Sequence, residues 1–290
     1  MILYLIRTAS PERMKEVTVN NKDDLDRFRS GAAKYAAYLE TPEGRLRLDL
    51  AFANLQEILP QSTKSLQVLD IGGGTGALAV RLAELGHHVT VLDASQPMLD
   101  LARQAALNAA VADRIALKLG DADQLASLFN AGSFDVVVCH NILEYVGAPA
   151  AVLRGAARLM RHPAGLISVL VRSQAGEVLK AAIKDGDLAA AETGLTAAST
   201  HESLYGGPAR LFSAESVHAM FADVSLAVVA ERGVRVVSDY LPPQLSRTED
   251  YDRIFALERE LGRRPEFARV ARYTQFLASC ATPSTKEARR

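Results

Sequence analysis

From Ser65 onward, short apolar runs rich in β-branched residues alternate with longer segments that carry helical apolar spacing. This alternation is typical of a parallel sheet whose strands are joined by helices. Five strands are predicted before the insertion described below, at 67–71, 88–93, 115–119, 134–139 and 166–171. The fourth run is apolar on both faces, as a central parallel strand should be. The pattern therefore predicts a doubly wound α/β fold.

The segments between and after these strands complete the pattern. Helices are predicted between the strands at 77–85, 97–108 and 151–160. Later in the chain, helices are predicted at 214–222 and 250–261, and strands at 225–235 and 270–278. The two later strands bring the predicted sheet to seven.

Two segments interrupt this alternation. Residues 22–59 show helical apolar spacing and no strand, so the N-terminal region 1–62 is predicted to form an arm and a helical lid or brace. Residues 172–212 are rich in alanine and are predicted to form an insertion after the fifth strand, with no strand of its own. The main domain is then expected at 63–280, with a helical segment at 242–265.

The two ends of the chain give little information. The apolar start at 1–6 stops at Arg7 and is too short for the apolar core of a signal peptide. The segment 1–6 is interpreted as a strand, a disordered start or a wrongly assigned leader. The segment 281–290 is expected to be a flexible tail. No window approaches the roughly 20 apolar residues that span a bilayer, so we expect a soluble protein with no membrane partner.

Composition narrows the function classes. Of the 290 residues, 49% are hydrophobic and 23% are charged, which is enough apolar surface for one large domain or two small ones. The net charge of −1 argues against a surface that binds nucleic acid throughout, although a local basic face remains open. Two cysteines, Cys139 and Cys280, cannot build a disulfide framework or a four-ligand zinc site. We therefore expect a cytoplasmic protein without a metal.

The strongest local motif is a strand that ends in a glycine-rich turn and opens a helix, at 68–76. Its cofactor-binding candidates are Asp70, Gly72, Gly73, Gly74 and Gly76. The glycines also fit a dinucleotide pattern, G-x-G-x-x-G/A, with Asp93 placed 21 residues after Gly72. Asp70 discriminates between the two ligands, because its carboxylate would repel a pyrophosphate but suits the cationic amino group of S-adenosylmethionine (SAM). The motif therefore favours SAM.

Three further acidic or polar positions follow strand ends. Asp93 can accept hydrogen bonds from both ribose hydroxyls, with Met98 close by, although an acid at a helix N-terminus is the alternative. Asp123 can meet an adenine amino group, or it is a solvated cap. His140 lies at the switch point of the sheet, where such folds bind ligands, or it is a buried structural histidine. Cys139 before it is expected to be inert in its apolar strand.

These residues resemble the class I SAM-dependent methyltransferases over about 65–171 and again at the last strands. A closer resemblance is to the bacterial tRNA methyltransferases that esterify 5-carboxymethoxyuridine at the wobble position. The matching stretches are Glu43–Arg47, Ala83–His87, Cys139–Val146, Gly233–Leu241 and Ala271–Thr274. The resemblance implies a mostly parallel, seven-stranded Rossmann-like methyltransferase sheet whose last strand is antiparallel.

The resemblance also implies roles for individual residues. Arg47 on the leading helix matches an arginine that binds the SAM carboxylate, and a guanidinium pairs bidentately with such a group. The other implied SAM contacts are Gly72, Gly73, Asp93, Ala122, Asp123 and His140. One departure concerns the family's lysine cluster in the insertion, because the matching stretch, Asp187–Leu195, is acidic and apolar here. Arginines elsewhere could contact phosphates, or they form solvated helix faces.

The methyl acceptor is expected under the segments that roof the site. The substrate-binding candidates are Arg172, Tyr205, Arg210, Arg235 and Tyr240. A carboxylate acceptor is ionised near pH 7 and needs no base, so no catalytic base is assigned. The leading hypothesis is methylation of the 5-carboxymethoxyuridine carboxylate in tRNA. The alternatives are an O- or N-methyltransferase of a small metabolite, a non-catalytic SAM-binding protein and a dinucleotide-dependent oxidoreductase.

Overall fold

The computed structural model describes residues 21–60, 64–242 and 244–280. The expectations for 1–6 and 281–290 lie outside these residues. The strands of the described chain are β1 (Gln67–Ile71), β2 (His88–Asp93), β3 (Ile115–Leu119), β4 (Val136–His140), β5 (Leu166–Arg172), β6 (Ser199–Glu202), β7 (Gly207–Arg210), β8 (Leu226–Val234) and β9 (Tyr273–Cys280).

The helices surround these strands. They are α1 (Asn21–Leu39), α2 (Pro42–Ile58), α3 (Ala77–Glu84), α4 (Gln96–Asn108), α5 (Leu125–Leu128), α6 (Pro149–Leu159), α7 (Gln174–Leu179), α8 (Leu188–Gly194), α9 (Ala214–Asp223), α10 (Tyr251–Gly262) and α11 (Pro265–Ala268). Short 3₁₀ turns lie at Ala112–Arg114, Ala122–Gln124 and Ser238–Tyr240, and a π-helical turn at Lys180–Lys184 follows α7.

Seven strands form one sheet in the order β3-β2-β1-β4-β5-β9-β8. The first five are parallel to one another, and β9 runs antiparallel to both of its neighbours, β5 and β8. The predicted mostly parallel sheet with an antiparallel last strand is therefore confirmed. The strand order reverses between β1 and β4, and ligands of such sheets bind at the carboxyl ends of the strands near this point.

The centre of the sheet is buried on both faces because its strands are continuous apolar runs. One face packs against α6 and α9, and the other against α2, α3 and α4. Val137 and Val138 of β4 are fully buried, and each such side chain contributes about 1.5–3 kcal/mol when removed from water. Burial also raises the pKa of the Cys139 thiol, as expected for an unreactive cysteine.

The helical character predicted for 22–59 is confirmed. The position of α2 is determined by a cap at its first turn and by the burial of its apolar face. The side chain of Thr41 caps the helix by accepting a hydrogen bond from Gly44 N (3.1 Å). A Cβ atom on Gly44 would lie 2.0 Å from Tyr38 O, so only glycine allows α1 and α2 to meet this closely. Leu46 and Leu50 are buried against the core. This docking brings Arg47 to the carboxyl edge of the sheet.

The insertion after β5 corrects one prediction, because it contains strands. β6 and β7 pair antiparallel as a separate hairpin, with Ser199 opposite Arg210 and Glu202 opposite Gly207. The two strands have four residues each and carry Thr, His, Glu, Pro and Arg side chains, so no apolar alternation marks them. Lys34 Nζ of α1 donates to Ser203 O (2.9 Å), which joins the hairpin to the N-terminal helices.

Candidate active site

A cavity of about 610 Å³ opens at the carboxyl ends of β1 to β5, below α1 and the β6–β7 hairpin. It brings together most of the residues predicted from the sequence. The cofactor candidates that line it are Arg47, Gly72, Gly74, Asp93, Met98, Ala122, Asp123 and His140, and the acceptor candidates are Arg172, Tyr205 and Arg235. No helix within the described ranges is both long and apolar enough to cross a membrane.

The glycine-rich turn after β1 forms one wall of this cavity. Gly72 and Gly74 have φ values of +68° and +55°, which favour glycine. Gly73 lies in a small side cavity beside Asp70, where a Cβ atom would come within 2.7 Å of Asp70 Oδ2. Gly76 does not line the main cavity, because it serves the close packing of α3 on α4 beside Ala102.

Asp70 is a buried carboxylate, 3% exposed, at the end of β1. Burial and, to a smaller extent, the nearby charge of Asp93 together raise its pKa to about 7. No cation pairs with Asp70 in the part of the chain that the structure describes. A ligand cation at this position would stabilise the charged form, which is the arrangement expected for the amino group of SAM.

Asp93 is held rigidly at the end of β2. Its Oδ2 accepts a hydrogen bond from Gly74 N (2.9 Å), and its Oδ1 accepts one from Ser95 N (2.8 Å). Burial raises the pKa of Asp93, while these amides act in the opposite direction. Both oxygens are thus oriented along the cavity wall and keep lone pairs for two further donors. This fits a ribose diol.

Ala122 and Asp123 lie on the 3₁₀ turn after β3. Asp121 opens this turn, because its Oδ1 accepts a hydrogen bond from Asp123 N (2.9 Å). Partial burial raises the pKa of Asp123. The turn borders the same end of the cavity as Met98, which is buried.

His140 ends β4 in a chain of hydrogen bonds that reaches β9. Gln275 Nε2 donates to Ala51 O and to Ser168 Oγ (3.0 Å each), so the Ser168 hydroxyl hydrogen is left to donate to His140 Nε2 (2.8 Å). A hydroxyl hydrogen donated in this direction corresponds to the His140 tautomer that has its proton on Nδ1. Burial and the charge of Arg47 lower the pKa of His140 to about 3, so its imidazole is neutral.

Arg47 is a buried cation, 8% exposed, at the inner end of α1 and α2. Its Nη2 donates to Tyr35 Oη (2.9 Å), and its guanidinium lies 5.0 Å from the ring centroid of Tyr38 and 5.6 Å from that of Tyr273. Among the described residues, no carboxylate pairs with it. A buried guanidinium without a counter-charge fits a ligand carboxylate.

Next to Arg47, the acceptor end of the cavity contains three further guanidiniums, but these are paired with carboxylates. Arg235 Nη1 donates to Tyr38 Oη (3.1 Å), and Tyr38 also packs against Arg47. Arg172 Nη1 and Arg272 Nη1 lie 2.9 Å and 2.7 Å from Glu177 Oε1. Arg235 pairs with Asp239, whose other oxygen lies 3.4 Å from Arg272 Nε. Arg172 also lies 3.9 Å from Glu202. We call Arg172, Arg235, Arg272, Glu177, Glu202 and Asp239 the arginine cluster.

Aromatic rings fill the space between the two ends. Tyr205 stacks on Tyr35 (centroids 5.8 Å apart) and meets Phe28 edge-on (4.9 Å). Tyr145 also meets Phe28 edge-on, at 5.1 Å. Tyr273 lies between Arg47 and Arg172; burial raises its pKa, but the surrounding guanidiniums outweigh burial and lower it to about 8. This end of the cavity therefore suits a flat ring that carries an anionic group.

Two acceptor candidates do not line the cavity. Arg210 lies on β7, and Tyr240 ends the 3₁₀ turn after β8. The Tyr240 hydroxyl is buried without a hydrogen-bond partner among the described residues. Both belong to segments that do reach the site, but their side chains are placed away from it.

The sequence-based reasoning also missed several residues of the cavity. These are Phe28, Lys34, Tyr35, Tyr38, Tyr145, Lys180, Lys184, Glu202, Asp239 and Tyr273, whereas Arg272, which also lines the cavity, is one of the arginines expected as possible phosphate contacts. Arg272 and Tyr273 fall in the stretch Ala271–Thr274 that carries the family resemblance, so a signal for them was present. Lys180 and Lys184 stand one turn apart just ahead of the acidic stretch that replaces the lysine cluster.

Comparison with known proteins agrees with this geometry. A family model described as "Methyltransferase domain" matches residues 62–221. The tRNA 5-carboxymethoxyuridine methyltransferase of Escherichia coli K12 is 27% identical over 239 residues, which cover 82% of this chain and 89% of that protein. The ubiquinone biosynthesis O-methyltransferase of Xanthomonas oryzae is 34% identical over 136 residues, 46% of this chain and 53% of the relative.

Solved structures share the fold at lower identity. Magnesium protoporphyrin IX methyltransferase from Synechocystis, crystallised with bound S-adenosylhomocysteine, superimposes with a TM-score of 0.60 at 16% identity, covering 90% of this chain and 100% of that one. A Haloferax volcanii methyltransferase, in complex with the Trm112 activator, superimposes with a TM-score of 0.60 at 19% identity. The match covers 89% of this chain and 98% of that one. The chain thus belongs to the methyltransferase domain family, and it is a SAM-dependent methyltransferase.

Proposed function

We propose that the enzyme methylates a carboxylate, and that this carboxylate belongs to 5-carboxymethoxyuridine in tRNA. The arginine cluster carries the proposal, because its guanidiniums, although paired with carboxylates, line the cavity as hydrogen-bond donors that can orient an anion beside a set of aromatic rings. The 27% identity to the E. coli enzyme over most of both chains supports the same acceptor. A tRNA acceptor in turn implies a cytoplasmic location.

At the cofactor end, each buried charge has a matching group on SAM. Arg47 would pair with the SAM carboxylate, Asp70 with the amino group and Asp93 with the ribose hydroxyls. Asp123 would accept a hydrogen bond from the adenine amino group. When bound, the cofactor supplies an electrophilic methyl group on a sulfonium. The protein's own task is then to fix the donor and to exclude water.

At the acceptor end, the protein has to orient an anion without weakening it as a nucleophile. A carboxylate is already ionised at pH 7, so no residue needs to remove a proton. Arg172 and Arg235 can orient the carboxylate through hydrogen bonds. Glu177 and Asp239 balance the positive charges of these two arginines. Positioning of the reacting groups about 3 Å apart then provides most of the acceleration.

The rim of the cavity supplies cations that fit an RNA backbone. Lys34 lies on α1, and Lys180 and Lys184 lie on the π-helical turn of the insertion. Lys180 forms an ion pair with Asp185 (2.5 Å), so Lys34 and Lys184 are the cations offered in place of the family's lysine cluster, which is replaced in Asp187–Leu195. They support tRNA as the partner of the site.

A second candidate is methylation of a hydroxyl group on a small aromatic metabolite. The pKa of Tyr273, lowered to about 8, favours this alternative, because a phenolate beside the acceptor could take up the hydroxyl proton. The partial match to the Xanthomonas O-methyltransferase points the same way.

The decisive experiment uses SAM labelled on the methyl group and unfractionated tRNA that contains carboxymethoxyuridine. We expect label in the nucleoside methyl ester after digestion and mass analysis. Arg235→Lys should lower this signal, whereas replacement of the exposed Arg154 by Lys should leave it unchanged. Folded enzyme that binds SAM but leaves the tRNA unlabelled would favour the small-molecule acceptor.

A further inference from the structure

Helix α10 carries a carboxylate, Glu258, that is 0% exposed and lies outside the cavity lining. Its two oxygens accept hydrogen bonds from three consecutive backbone amides. Oε2 accepts from Val236 N (2.6 Å), and Oε1 accepts from Val237 N (2.9 Å) and Ser238 N (2.6 Å). A carboxylate bonded in this way fixes the turn that donates to it, because leaving any of these groups unpaired in the interior is costly.

The turn at 236–238 lies between the two residues of one ion pair of the arginine cluster. Arg235 precedes it with a φ of +62°, a left-handed conformation that a non-glycine residue keeps only when its surroundings enforce it. Asp239 follows the turn and pairs with Arg235. Arg235 O also accepts a hydrogen bond from Arg272 N (2.9 Å). The geometry of three cluster residues therefore depends on this one turn.

The position of Glu258 is itself set by close packing of α10 on β8. Gly262 lies four residues later, on the same face of the helix. A Cβ atom on Gly262 would lie 2.3 Å from Gly233 O, so the backbones of the helix and the strand are in direct contact. This contact keeps the carboxylate of Glu258 within hydrogen-bonding distance of the turn at 236–238.

We infer that Glu258 is a positioning residue for the methyl acceptor: it holds the 236–238 turn so that Arg235 and Asp239 face the cavity. The inference rests on the proposed function in treating Arg235 as an acceptor contact. The cofactor residues Asp70 and Asp93 lie on β1 and β2 and do not depend on this turn. Arg47 shares only its packing against Tyr38 with Arg235, so we expect loss of Glu258 to weaken acceptor binding more than SAM binding.

The test compares Glu258→Gln with the wild-type enzyme. The substitution keeps the shape but removes the charge and turns an NH₂ group towards at least one backbone N–H. We expect the acceptor KM to rise about ten-fold while the SAM Kd changes less than two-fold. The Arg235 Nε–H, which donates to Asp239 Oδ1 (3.1 Å), should shift in the ¹⁵N NMR spectrum. Its signal is assigned from the spectrum of Arg235→Lys.

The matched control is Glu260→Gln on the same helix. Its side chain is 62% exposed and, among the residues that the structure describes, pairs with Arg263 alone, so KM, Kd and the Arg235 signal should stay as in the wild type. If Glu258→Gln does not fold, Glu258→Asp keeps the charge but is too short to reach all three amides, and the same shifts are expected.

The outcomes separate the inference from the proposed function. An unchanged Arg235 Nε–H signal in folded Glu258→Gln overturns the inference, whatever the acceptor is. Equal losses in SAM and acceptor binding also overturn it, since they indicate a general structural role. A wild-type enzyme that does not methylate tRNA overturns the proposed function, and the NMR measurement then decides the inference alone.

Discussion

The two ends of the cavity handle charge in opposite ways. At the cofactor end, Asp70, which lines the adjoining side cavity, and Arg47, which lines both cavities, are buried without a counter-ion in the described part of the chain. At the acceptor end, the guanidiniums of Arg172 and Arg235 are each paired with a carboxylate. An unpaired buried charge gains most from its ligand, whereas a paired one gains less. We therefore expect tight binding at the cofactor end and orientation rather than affinity at the acceptor end.

The largest expected effect comes from Asp93→Ala. This change removes two charge-assisted hydrogen bonds of about 1.5–3 kcal/mol each, so the SAM Kd should rise at least 100-fold. Calorimetry with SAM measures it, and Asp100→Ala on the exposed face of α4 is the control. Unchanged SAM affinity, or binding of NADH, would contradict the assignment of this end.

Arg47→Ala should weaken SAM binding by about 1.5–3 kcal/mol, because the carboxylate loses a bidentate partner. Arg47→Lys should recover only part of this loss, since an ammonium cannot form the planar pair. Calorimetry again gives both values, with the exposed Arg45→Ala as the control. A lysine variant equal to the wild type would remove the argument that the buried guanidinium is shaped for a carboxylate.

At the acceptor end, the double variant Arg235→Ala/Asp239→Asn keeps the buried charge balanced. It should raise the acceptor KM by about ten-fold, the value of one charged hydrogen bond, and leave the SAM Kd nearly unchanged. Steady-state kinetics with tRNA and calorimetry with SAM measure the two effects. A SAM Kd that rises in parallel would mean that the two ends are not separable.

The smallest expected effect concerns pH. Because the pKa of Tyr273 is lowered to about 8, its phenol becomes negatively charged as the pH rises above 8. That charge repels an acceptor carboxylate, so the acceptor KM should rise about five-fold, which corresponds to about 1 kcal/mol. Tyr273→Phe should abolish the rise. For a hydroxyl acceptor the sign reverses, since the phenolate would act as a base and kcat would increase with pH.

The contrast between the two ends also explains what the sequence could predict. Asp70, Asp93 and His140 directly follow or end apolar strands, so a local pattern places them at one edge of the sheet. The seven strands and the helical N-terminal region were predictable for the same reason. Two expectations stay predictions: the bounds of the domains, and the closure of the N-terminal helical region over the cofactor as a lid.

The acceptor end is assembled from residues that are distant along the chain. Tyr35, Tyr205 and Tyr273 meet only through the packing of α1, the hairpin and β9. The hairpin itself lacks apolar alternation, so its strands were missed. Arg210 and Tyr240 lie on the right segments, but the sequence alone does not tell which side of a segment faces the cavity. Glu258 bonds only to main-chain amides, and no motif marks such a partner.

The pairing within the arginine cluster has a consequence for how an RNA reaches the enzyme. Three guanidiniums and three carboxylates sum to zero, so the arginine cluster itself adds little to the field that reaches the solvent. Lys180 pairs with Asp185, so capture of a polyanion from a distance then depends on Lys34 and Lys184 at the rim. For a tRNA acceptor, added salt should slow association while the turnover of tRNA already bound stays constant.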